Sequence, residues 1–81
     1  MKDTIRQIIG EITTSGLRER MKVLTADSET RRFTKLCNDL IGHVKTDLEK
    51  ANKENTEHWL QMAIELKELS EVIKKRLPDN Q

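Results

Sequence analysis

Two apolar stripes at helical spacing, separated by a four-residue polar run, constrain the fold more than any other feature of this chain. Phe33, Leu36, Cys37, Leu40, Ile41, Val44, Leu48 and Ala51 fall within one broad stripe. Arg31, Lys35, Asn38, Lys45 and Glu49 lie opposite. That pattern predicts an amphipathic helix over 28–52, capped at its start by Asp27 or Ser28, with Gly42 its single poor helix former. The second stripe is Trp59, Met62, Ala63, Leu66, Leu69, Ile73 and Leu77. It predicts a helix over 56–77, begun by Asn55 or Thr56, with Lys74, Lys75 and Arg76 at its negative end and Pro78 as its stop.

Asn52-Lys53-Glu54-Asn55 has no apolar residue and reads as a tight connection. Folding back at 53 or 54 sets Leu48 beside Trp59, Val44 beside Met62 and Ala63, and Leu40 beside Leu66. Cys37 then meets Leu69 or Ser70, and Phe33 meets Ile73. Bulky residues face smaller ones at several of these levels, as a packed seam requires. The rival is a single helix of about 50 residues through 52–55, which contain no Pro or Gly. The complementary stripes favour the antiparallel hairpin.

The N-terminal third repeats the helical period twice more. Ile5, Ile8, Ile9 and Ile12 predict a short helix over 3–13, with Asp3 as a possible N-cap. Thr13-Thr14-Ser15-Gly16 interrupts it, and Leu17, Met21 and Leu24 resume over 16–25 on a face rotated by roughly 135° at 100° per residue. The phase jump marks a bend at 13–16, although a continuous helix with a wandering stripe fits the same residues. There are two aromatic residues, and no period-2 alternation speaks for a sheet. The expected fold is all-α: one helical domain over 1–81, a long hairpin preceded by one or two short helices.

Size and composition narrow the class. A chain of 81 residues buries only about 60% of its unfolded surface, a margin usually widened by a staple or by assembly. One cysteine allows no internal disulfide. Self-association through coiled-coil-like packing, a homodimer first, is therefore expected. The longest apolar run, Met62-Ala63-Ile64, falls far short of the roughly 18 residues that span a bilayer. Lys2-Asp3 opens no apolar signal region, so the cytoplasm is the expected compartment and no membrane contact is expected.

Chemistry-bearing clusters are sparse. Cys37 with His43 or His58 is the one thiol–imidazole combination, and Cys37 lies mid-helix on the apolar stripe, where burial raises a thiol's pKa. Asp39, His43 and Asp47 form an i, i+4, i+8 ladder that reads as a hydrated polar stripe, since no second helix offers an obvious further metal ligand, although His58 near Glu54 lies beyond the turn. There is no Gly-rich phosphate loop, HExxH or Cys-x-x-Cys. Neither an active site, a metal nor a cofactor is expected. The net charge of +1 divides into +3 over residues 1–45 and −2 over 46–81. Arg18, Arg20, Lys22, Arg31, Arg32 and Lys35 are the candidates for a nucleic-acid surface, and a helix–turn–helix over 3–25 would rest on a generic turn.

More apolar residues remain than one hairpin seam can bury. Leu60 and Ile64 stand one turn apart, on the opposite side of the last helix from Met62 and Leu69, while Ile8 and Ile12 need a surface of their own. The N-terminal helix can cover Leu60 and Ile64 in a three-helix bundle, part of this group can serve a second chain, and the two can hold together. The expected function is a small cytoplasmic protein-interaction module, an adaptor or regulator that binds another macromolecule through Leu60, Ile64, Ile8 and Ile12. The alternative is a dimeric DNA-binding regulator that uses the basic N-terminal half.

Overall fold

The computed structural model describes residues 1–21 and 27–77, with 44–46 described by backbone alone. The reach of the second segment to 25, the packing of Leu24 and Val44, the position of Lys22 and the stop at Pro78 lie outside the described residues. What is described is all-α: four α-helices that pack on one another, with no strand among the described residues.

Helix α1 runs Lys2–Ser15 and buries Ile5, Ile8 and Ile12. It stops because Gly16 takes the left-handed conformation, φ 67° and ψ 16°, open to glycine without steric cost. Ser15 fastens this corner from both sides. Its hydroxyl donates to the Ile12 carbonyl at 2.7 Å and accepts the Leu17 N–H at 3.1 Å. A continuous helix through Gly16 is thereby excluded, and α2, Leu17–Arg20, turns Leu17 and then Met21 into the core.

Helix α3, Ser28–Thr46, begins where Asp27 accepts the Thr30 N–H at 2.8 Å. It ends six residues short of position 52. Asp47 leaves the helical conformation (φ −120°), and Leu48–Lys50 form a single 3-10 turn that folds Leu48 inward. Asn52 then caps α4, Lys53–Arg76, its side chain accepting the Asn55 N–H at 2.8 Å. The connection therefore lies earlier than Asn55 or Thr56 would place it. Asn52 captures the first orphan donors, and Glu54 gains a favourable place in the first turn.

Polar and aromatic contacts mark how α3 meets α4. The His43 ring stacks on Trp59, centroids 5.1 Å apart, and Leu48 and Trp59 are buried in the same core cluster. Farther along, the Arg32 guanidinium clasps Glu65 with two bonds of 2.9 and 3.0 Å. At the far end, Arg76 of α4 bonds both Asp27 and Glu29 at the start of α3.

The buried line of α4 is Thr56, Trp59, Ala63, Leu66, Ser70 and Ile73, a strict alternation of three and four residues. Both α3 and α1 pack on α4. Thr56 and Ser70 tolerate burial because their hydroxyls bond carbonyls of their own helix, Asn52 at 2.8 Å and Lys67 at 2.6 Å. Among the described residues, the buried apolar side chains from Ile5 to Leu77 form one cluster. The N-terminal end of α1 is tied to the 3-10 turn by Arg6, paired with Glu49, and by Lys2, which donates to the Glu49 carbonyl at 3.4 Å.

Urea denaturation at fixed chain concentration checks this assignment. A Cβ added at Gly10 or Gly42 meets nothing within 4 Å, so replacing either glycine by Ala should raise stability by about 0.5–1 kcal/mol. Gly16→Ala should instead lower it by about 1–2 kcal/mol, the cost of the left-handed conformation. Leu40→Ala, in the core, should cost about 2–5 kcal/mol. A stabilising Gly16→Ala would mean that the corner is not where it is drawn.

Candidate interaction surface

The thiol–imidazole combination does not come together as a nucleophile. Cys37 is fully enclosed, and burial pushes its thiol up to about 11, against a smaller opposing pull from Arg18. His43 is committed to the face of Trp59, with Nδ1 3.8 Å from Asp47. Among the described residues, no three His, Cys, Asp or Glu converge as a metal site. No described helix is long and apolar enough to cross a membrane.

The basic candidates are divided rather than pooled. Arg32 is held by Glu65, and this bidentate bond is the first cause of the lowered Glu65 pKa. Arg18 donates to Asn38 Oδ1 at 2.9 Å. Arg20, Arg31 and Lys35 stand exposed, with Arg31 and Lys35 one turn apart on α3. Lys22 lies outside the described residues.

The four apolar candidates also separate. Ile8 and Ile12 are each 5% exposed, buried in the chain's own core, so neither offers a surface to a partner. The reason is that α1 already spends its apolar face on packing against the rest of the chain. Leu60 is half-buried at the edge of that core. Ile64 is 46% exposed, a large aliphatic side chain left in water on the solvent side of α4. Glu65 marks the flank of α4 that faces α3, and Leu60 and Ile64 belong to the other flank.

The residues around this pair were not singled out from sequence. Lys53, Glu57, Leu60, Ile64, Lys67 and Glu71 follow one another at steps of four and three, a second stripe beside the buried one. All are exposed except half-buried Leu60. The spacing was readable in the sequence; a charged majority hid it. Comparison with protein-family profiles, curated proteins and solved structures finds no match to this chain.

Two outcomes test the electrostatics. The enclosed thiol should resist alkylation at pH 8 in the native chain and react at once in denaturant; rapid native labelling would place Cys37 at the surface. For Glu65, whose folded pKa is lowered, the stabilisation by Arg32 is complete above the ordinary carboxylate range and is lost as pH falls through the folded pKa. Arg32→Ala should thus be less stable than wild type at neutral pH, and the difference should close in acid.

Proposed function

We propose that this chain is a small helical interaction module of the cytoplasm that works by binding, has no catalytic centre, and self-associates through the solvent side of α4. Its framework is the antiparallel hairpin of α3 and α4, steadied by α1. The observation that carries the reading is Ile64, exposed beside half-buried Leu60 on a helix whose opposite side is already packed. Isolated surface aliphatics are common. An adjoining pair one turn apart, on a chain too small to bury much, is the minimal nucleus of a helix–helix contact.

A second reading draws on Arg31 and Lys35, exposed one turn apart on α3, and on exposed Arg20. They suit a phosphate backbone. With Arg32 neutralised by Glu65, the footprint is smaller than the sequence suggested, which ranks this reading second.

Sedimentation at micromolar concentration tests the first reading. Wild type should sediment as a dimer or larger species, and its thermal midpoint should rise with concentration, because assembly stabilises only the folded state. The double change Leu60→Ser, Ile64→Ser should give a folded monomer. Since Leu60 also touches the core, Ile64→Lys alone provides the gentler check. A wild type that stays monomeric, with a midpoint indifferent to concentration, would end this reading; salt-sensitive DNA binding would then favour the second.

A further inference from the structure

The exposed stripe of α4 carries its charges in a self-complementary order, and this names the occupant of the surface. We infer that a second copy of this chain pairs with α4 in antiparallel sense, about a two-fold axis crossing the stripe midway between Leu60 and Ile64. The inference rests on the self-association reading above and adds a face, a polarity and a register to it.

The stripe is Lys53, Glu57, Leu60, Ile64, Lys67, Glu71. In the antiparallel register centred on position 62, Leu60 of one copy meets Ile64 of the other, and Ile64 meets Leu60. One turn outward, Glu57 meets Lys67 at both ends of the seam. One turn further, Lys53 meets Glu71. Each of these contacts occurs twice by symmetry, and every charged residue of the stripe faces its opposite. The centre is aliphatic and the rims are ionic, the arrangement that favours one register over its neighbours.

The side chains are available for it. Lys53, Glu57, Ile64, Lys67 and Glu71 are all exposed. Glu71 lies 3.7 Å from Lys74 of its own helix, an exposed contact loose enough for the carboxylate to be shared. The alternatives are penalised. A parallel pair in register sets Glu57 on Glu57 and Lys67 on Lys67. Antiparallel pairing centred on Ile64 sets Glu57 against Glu71 and leaves Leu60 facing Glu68. The isologous contact is thus specified by one helix and needs no other partner.

Charge exchange on the full chain tests this register. Glu57→Lys alone, or Lys67→Glu alone, turns two symmetry-related attractions into repulsions and should weaken self-association about tenfold, with circular dichroism unchanged. The double variant Glu57→Lys, Lys67→Glu should restore it. An equimolar mixture of the two single variants should associate better than either alone, because the mixed pair has both contacts of opposite sign. Spin labels at Lys75 should lie about 40 Å apart between copies, at 1.5 Å of rise per residue, whereas a parallel pair would hold them near about 10–15 Å. A dimer whose strength ignores every one of these charge changes would overturn the register while leaving self-association intact. A chain that never dimerises would overturn both.

Discussion

Everything described in this fold depends on α4 serving two neighbours with one narrow line of side chains. A buried line spaced by three and four residues is an economical way to do so, because it keeps a single seam in step over the whole helix. The line includes Ala63, Thr56 and Ser70 as well as Trp59, Leu66 and Ile73. Its small members leave room for neighbouring helices, and its large members fill the space between them. Once α3 and α1 have taken their places, the apolar residues flanking the line are only partly covered. Met62 and Leu69 are half-buried on one flank and Leu60 on the other, with Ile64 beyond it. The exposed aliphatic patch is thus a by-product of an apolar sector on α4 broader than the two helices covering it.

Helical periodicity was legible in the sequence wherever burial and apolar chemistry coincide, as at Ile5, Ile8 and Ile12 or at Phe33, Leu36 and Leu40. It was not legible where polar residues are buried. Thr56 and Ser70 sit in the seam because each hydroxyl finds a carbonyl one turn back, a compensation that leaves no mark in a hydropathy pattern. The ends of α3 and α4 escape the sequence pattern for a related reason. Asn52, Asn55 and Thr56 are all competent caps, and caps differ by only about 1 kcal/mol. Packing of Leu48 beneath the turn is large enough to decide among them, and it is a tertiary effect.

The surface candidates show the same division. An excess of apolar residues over one seam was countable, but which of them would stay outside depended on where α1 landed. Ile8 and Ile12 went inside, and Ile64 stayed out. Counting basic residues in the N-terminal half likewise gave no hint that Arg32 would be spent on Glu65, thirty-three positions away. Exposed ion pairs of this kind contribute little free energy individually. What they do is bridge the two helices at defined positions. Arg32 with Glu65, and Arg76 with Asp27 and Glu29, hold α3 and α4 at one relative position.

The same economy extends to the proposed contact between copies. With a net charge of +1, the chain has almost no long-range field, so partners are neither drawn in nor held apart at a distance. Discrimination must then come from contact, within the reach of a single side chain. Four aliphatic side chains at the centre of a seam supply attraction without much direction, since Leu60 and Ile64 would accept each other in several registers. Direction comes from the charges at the rims. On one helix, the order Lys, Glu, aliphatic pair, Lys, Glu is antisymmetric about its midpoint, so reversal by a two-fold axis converts every position into its complement. A stripe of one sign would forbid self-pairing, and a stripe symmetric about its midpoint would place like on like. Antisymmetry lets a nearly neutral helix recognise its own copy and still set like charge against like when the second copy lies parallel.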